Sequence, residues 1–380
     1  MFENVVGNQK TIDYLTSSVD DNRLAHAQLF VGPEGIGLLE IAISYAKYIL
    51  CKDKNSESAD YKNCQIKVNE CSHPDVHYAF PVVTTETVKS KPVSNNFLKQ
   101  WKEFIRLYPF GSLNDWYTHL GVEKKQGQIG VDESLEIVKK LSLKSYEGGY
   151  KIMIIWMADK MNTATANKIL KILEEPPQKT VFILITEKAE DILSTITSRC
   201  QLVEFKKPEQ KEIEALLIDR YGVSESLSKR HAHLSQGDVN KAIKLSENLN
   251  DDAIFEEWFV KWVRSAFRAK GSASAVLDLI AWSEEVASYG REVQKQFLHY
   301  CIAFFRQALL QNYTAKDLVY LNEGLKEFQL DKFAPFVNGG NINEIFKEIS
   351  DAIYHIERNG NGKIILTDLS IKLTRLIHKK

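Results

Sequence analysis

The chain has 380 residues, enough for two or three domains with cores of their own. A hydrophobic fraction of 44% beside 26% charged residues is ordinary for a globular protein. Its 49 basic and 50 acidic residues leave a formal charge of −1, which excludes a surface built throughout to grip nucleic acid but allows a local basic patch. No apolar run approaches the roughly 18 residues that span a bilayer, and the opening MFENVVGNQK lacks the regions of a signal peptide, so a cytoplasmic protein is expected. Five scattered cysteines, an odd number, are not expected to form a disulfide framework.

In chain order, a short entering segment and a helix over 11–19 lead to a strand, Gln28 to Val31, and then to the loop Gly32-Pro33-Glu34-Gly35-Ile36-Gly37. Residues 51–75 contain the polar stretch SESADYKN, read as an exposed loop. An amphipathic helix is expected around 96–107, with Phe97, Trp101, Phe104 and Ile105 on one face, followed by a shorter aromatic segment, 113–120. A helix over 131–141 turns through Glu147-Gly148-Gly149 into Ile152 to Trp156, an apolar run too short for a helix and read as a strand buried on both faces. The next helix can be capped by Asn162 or Thr163, repeats Ala166, Ile169, Leu170 and Leu173 on one face, and stops at Pro176-Pro177. A second buried strand, Val181 to Ile185, precedes a helical segment over 190–197 that delivers Ser198-Arg199-Cys200. Leu202 to Phe205 closes the sheet, Lys207-Pro208 marks a boundary, and three helices follow as far as about 249. Residues 250–380 read as helical throughout, with apolar stripes at Ile254, Phe255, Trp258, Phe259 and Trp262 and at Phe297, Cys301, Phe304, Phe305 and Leu309.

The block ANKILKILEEPP, then VFILIT, then Ser198-Arg199-Cys200, together with the opening through Leu24-Ala25-His26-Ala27, resembles the bacterial DNA polymerase III clamp-loader members of the AAA+ family. The resemblance implies an α/β AAA+ core, a doubly wound parallel sheet, over 1–207 with an insertion at about 79–130. A small helical lid over 208–249 and an all-α collar over 250–380, through which subunits assemble, would follow. It also implies that Arg199 is an arginine finger reaching a neighbour's ATP, that Ser198 orients it and that Cys200 packs beneath it.

Three departures set this chain apart. Gly32, Gly35 and Gly37 keep the glycine spacing of a P-loop, but Leu38 and Leu39 stand where a working loop has Lys and then Ser or Thr. The ammonium that would offset phosphate charge and the hydroxyl that would ligate Mg²⁺ are both missing, so ATP binding is not expected. Trp156 and Met157 replace the Asp-Glu pair that ends the corresponding strand in family ATPases, and Asp159 beyond them is read as a solvated residue. In Gly237-Asp238-Val239-Asn240-Lys241-Ala242, Asn240 occupies the arginine position of the sensor-2 motif. A chain that loses these features and keeps the finger resembles the δ′-type subunits, which do not hydrolyse ATP but complete a neighbour's site.

In that group four cysteines often bind structural zinc ahead of a His-Pro-Asp, here His73-Pro74-Asp75; Cys51 and Cys64 match the first and last, while Ser58 and Tyr61 stand near the lost middle pair. No cofactor is expected. The alternative is a zinc set of Cys51, Cys64, Cys71 and His73, although intervals of 12 and 6 residues depart from usual ligand spacing. The insertion resembles one in Bacteroidetes-type members and carries Lys89, Lys91, Lys99, Lys102, Lys124 and Lys125. Its aromatic face is expected to fold back on the core with the lysines in solvent, the alternative being an appendage that faces a partner or DNA.

The expected partners are the γ/τ- and δ-type subunits, the sliding clamp, and primer-template DNA through the assembled complex. Two competing readings are an active AAA+ ATPase with a divergent site and a non-enzymatic DNA-binding scaffold on an inactive core.

Overall fold

The computed structural model describes residues 1–123, 125–147, 149–247, 252–313, 328 and 330–379, so Lys124, Gly148 and the expected boundary near 249 lie outside the described residues. The chain forms two compact units, Met1–Val122 with Gln126–Leu249, and Asn250–Lys380 with Glu123–Lys125.

The first unit runs α1 (Gln9–Asp20), β1 (Ala27–Val31), α2 (Leu38–Cys51), α3 (Ala59–Asn69), β2 (Val76–Ala79), α4 (Leu98–Leu107), α5 (Leu113–His119), α6 (Val131–Ser142), β3 (Lys151–Ile155), α7 (Thr163–Glu174), β4 (Thr180–Thr186), α8 (Ser194–Thr197), β5 (Gln201–Glu204), α9 (Gln210–Tyr221), α10 (Glu225–Ser235) and α11 (Val239–Ser246). The strands form one sheet in the order β2-β3-β4-β1-β5, and every pairing is parallel. Because strand side chains alternate, Ile152, Ile154 and Trp156 enter one core layer with α1, α2 and α4, while Met153 and Ile155 enter another with α6, α7 and α8. Both faces are therefore covered, as expected of a doubly wound AAA+ core. No helix among the described residues is long and apolar enough to cross a membrane.

Local chemistry sets the ends of these elements. Asn162 caps α7 by accepting from Thr165 N at 2.8 Å, and the Pro176-Pro177 pair bars its continuation. The helix expected over 190–197 is broken: a single 3-10 turn, Ala189–Asp191, precedes an α8 of only four residues, with extended backbone at Ile192 between them. SESADYKN is not all loop, since Ser58 accepts from Tyr61 N at 3.1 Å and starts α3, whose inner face buries Cys64 and Val68. The four-residue strand β2 is too short to leave a periodic signal.

His77 on β2 is desolvated and near the cations of Lys140 and Lys151, which together outweigh the attraction of Asp75; its pKa falls to about 4. A folded-state value below the unfolded one means that the unfolded chain takes up a proton first as pH drops. Stability should therefore fall between pH 6.5 and 4, by up to about 3 kcal/mol from this residue. Urea midpoints measured across that range should decline more steeply for the wild-type chain than for His77→Gln, and parallel declines would contradict the assignment.

The second unit contains α12 (Asp252–Ala269), α13 (Ala273–Ala287), α14 (Arg291–Asn312), α15 (Leu330–Phe333), α16 (Ile342–Glu357) and α17 (Gly362–Leu376). The two apolar stripes meet each other inside it, with Phe259 against Phe304 at a centroid distance of 4.1 Å. Trp262 stacks on Trp282 at 5.0 Å and donates to Ser370 Oγ at 2.8 Å. Cys301 is fully buried there, a small apolar residue as expected.

Candidate functional site: a filled pocket and an exposed arginine

The loop between β1 and α2 has the backbone of a phosphate cradle, with Gly35 and Gly37 at φ of 79° and 80°. Its space is already taken. Pro109, Phe110, Gly111 and Ser112, from the segment read as an insertion, face Gly32 to Leu39, and Trp156, Met157 and Glu187 help complete the walls. The remaining cavity is about 30 Å³, room for roughly two water molecules. A Cβ on Gly37 would lie 2.7 Å from the Phe110 ring, and one on Gly35 would collide with the Asp238 carboxylate.

The same insertion segment holds the helices expected to form the lid. Phe110, 3% exposed, belongs to a core cluster with Val6, Ile213, Leu217, Val239 and Ala242. Ser112 caps α5 by accepting from Asp115 N at 3.2 Å, and the Asp115 carboxylate completes the capping box by accepting from Ser112 N at 2.8 Å and Ser112 Oγ at 2.9 Å. It also accepts from Asn240 Nδ2 at 2.7 Å and pairs with Lys244 Nζ at 2.5 Å. Burial would raise the Asp115 pKa, but the Lys244 cation and these hydrogen bonds hold it below the ordinary carboxylate value. Asn240, read from the sequence as standing at the sensor-2 position, thus binds Asp115 through its side chain and donates its backbone N–H to Gly35 O at 3.1 Å.

Trp156 and Met157 are 3% and 7% exposed. Trp156 packs on Trp101 and Phe104 of α4, at centroid distances of 5.3 and 5.7 Å. Asp159 is not the solvated residue expected: it accepts from Thr186 Oγ1 at 3.2 Å, pairs with Lys160 at 2.8 Å, and is 10% exposed.

At the other candidate position, α8 ends in Ser198-Arg199-Cys200. Arg199 Nη1 donates to Thr195 O at 2.9 Å and to Ser198 Oγ at 3.4 Å, while Nη2 pairs with Glu174 of the ANKILKILEEPP helix at 2.5 Å. The arginine and glutamate side chains remain 37% and 47% exposed. Cys200 packs against the second core layer, and burial pushes its thiol up to about 11, which leaves it neutral and inert.

The alternative zinc set is corrected. Cys51 and Cys64 form a disulfide that joins α2 to α3, so neither offers a thiolate, and the chain has one bridge where no disulfide framework was expected. Burial pushes the Cys71 thiol up to about 11, against a smaller opposite effect from Tyr78. His73 accepts from Asp75 N through Nδ1 at 3.2 Å. Among the described residues no group of metal-binding side chains comes together.

Sequence reasoning missed Phe110, Asp115, Asp238 and Glu174. A capping-box pattern, Ser112-x-x-Asp115, was available for the second, but nothing in it points to Lys244 at a distance of 129 residues.

The chain is 30% identical over 240 residues to the DNA polymerase III subunit delta′ of Bacillus subtilis strain 168, covering 63% of this chain and 59% of that one. It is 33% identical over 145 residues to the subunit delta′ of Escherichia coli K12, covering 38% and 43%. The chain thus spans about half the length of these curated relatives. A DNA polymerase III gamma subunit-related protein from Thermotoga maritima aligns over 97% of this chain and 100% of its own, at 16% identity and a TM-score of 0.39. Residues 7–209, more than half the chain, match the family described as DNA polymerase III, delta subunit, and the chain belongs to that family.

Proposed function

We propose that this chain is a non-hydrolysing δ′-type subunit of a DNA polymerase III clamp loader, which donates Arg199 to ATP held by a neighbouring γ/τ-type subunit and helps load the sliding clamp onto primed DNA. The observation that supports it most is the filled pocket: Pro109 to Ser112 lie against Gly32 to Leu39 and leave a cavity of only about 30 Å³ there. Leu38 and Leu39 cannot supply the ammonium and hydroxyl of a working P-loop, and Trp156 and Met157 can neither bind Mg²⁺ nor polarise water. Arg199, by contrast, is exposed and carries the planar fork suited to phosphate oxygens. On this reading the lid and the helical collar are parts through which the chain joins the δ- and γ/τ-type subunits, in the cytoplasm.

The test is a comparison of hydrolysis alone and in company. The purified chain with Mg²⁺ and ATP should release no phosphate, whereas its addition to γ/τ- and δ-type subunits should raise hydrolysis stimulated by clamp and primed DNA. Turnover by the isolated chain would instead favour a divergent ATPase. Salt-sensitive DNA binding by the isolated chain, with no effect on the other subunits, would favour a scaffold.

A further inference from the structure

We infer that the insertion segment 109–115 is a built-in occupant of the degenerate nucleotide pocket, clamping helices α9–α11 onto the sheet core. The inference concerns the chain by itself and is independent of any role for Arg199.

Two residues of the segment, Phe110 and Asp115, make its contacts to both sides, while separate contacts join the loop directly to α11 and close the base of the insertion. Phe110 lies over Gly37 at the start of α2 and joins the apolar cluster of α9 and α11. Asp115 reaches Asn240 and Lys244 on α11 while capping its own helix through Ser112. Gly35 of the loop accepts from Asn240 N, and the Asp238 carboxylate sits against the same glycine. From behind, Trp116 Nε1 donates to Pro81 O at 2.8 Å, and paired hydrogen bonds between Val82 and Gln128, both 3.1 Å, close the base of the insertion. The loop is therefore held at its tip, in its middle and at its stem.

A nucleotide in such a pocket would bridge the loop and the lid only while bound. This occupant is covalently part of the chain, so its local concentration does not depend on any ligand. Its polar bridge is a shielded carboxylate meeting one cation and three further donors, the kind of charge-assisted network whose loss is felt locally. The position of α9–α11 should accordingly be insensitive to nucleotide and sensitive to Asp115.

The experiment is hydrogen exchange by mass spectrometry on the full chain. Asp115→Ala should speed exchange of the α9–α11 amides by about tenfold or more and leave β3 and β4 unchanged, since a local clamp governs local opening. Lys244→Ala, a change at a part-exposed side chain that leaves the α5 cap intact, should act in the same direction by a smaller factor. Mg²⁺ and ATP at millimolar concentration should leave exchange over 32–39 and α9–α11 of the wild-type chain unchanged. Unaltered lid exchange in folded Asp115→Ala would overturn the inference. If that variant does not fold, unaltered lid exchange in Lys244→Ala would do so. Protection of 32–39 by ATP in the wild-type chain would overturn it as well, because the segment would then yield to a ligand.

Discussion

Arg199→Ala should lower ATP turnover at the site this chain is proposed to complete by about 10³-fold or more, the usual worth of an arginine finger, in an assembly reconstituted with γ/τ- and δ-type subunits. The total rate stimulated by clamp and DNA should fall by at least that site's share. In the chain alone the guanidinium rests on Glu174 at 2.5 Å, but both side chains are over a third exposed. Such a pair is worth about 0–1 kcal/mol, little against a triphosphate offering several charges and bidentate oxygens. Arg199→Lys keeps the charge and loses the fork, so it should recover little of the rate. Glu174→Gln removes the resting partner and spares the guanidinium; its effect should stay below about tenfold, the scale of a pair worth no more than 1 kcal/mol. An Arg199→Ala assembly that elutes intact by gel filtration and hydrolyses at the wild-type rate would make the motif a structural one.

The central strands β1, β3 and β4 were legible because they are short apolar runs bounded by turns and proline, and parallel strands covered on both faces carry that signature. Ile152 to Trp156 and Val181 to Ile185 therefore became β3 and β4 with small changes at their ends. The aromatic face of 96–107 was readable by helical spacing, and Phe97, Trp101, Phe104 and Ile105 do fold back on the core. What they fold back onto was hidden. Periodicity reports which face of a helix is apolar and says nothing about which distant residue covers it. Trp156 read from the sequence as the end of a buried strand and the loss of an acidic residue, and Phe110 was not singled out at all. In the structure both belong to one device: Phe110 lies against Gly37 and Trp156 packs on Trp101 and Phe104, so the segment 98–115 covers the glycine loop and the end of β3 together. The α3 helix was missed for a simpler reason, since its polar composition outweighed the two buried positions that hold it down.

That coupling gives the last expectation its size. Restoring the family's acidic residue by Trp156→Asp should fail to create an ATPase and should cost most or all of the stability of the first unit. The indole is 3% exposed and lies among Trp101 and Phe104, with Trp101 in turn stacked on Phe80 at 3.9 Å and edge-on to Trp116 at 5.2 Å. Truncating a buried tryptophan costs about 3–5 kcal/mol in cavity and lost contact alone. The carboxylate then adds an ion surrounded by aromatic rings, which must either stay unpaired or take up a proton. Against a usual total of about 5–15 kcal/mol, the sum leaves little or no folded state. Thermal melting followed by near-ultraviolet circular dichroism should show a transition lowered by well over 10 °C, or none. A Trp156→Asp chain that melts within a few degrees of the wild type would mean that the insertion rests only loosely on the strand end. The nucleotide positions would then have been lost independently of the segment that now covers them.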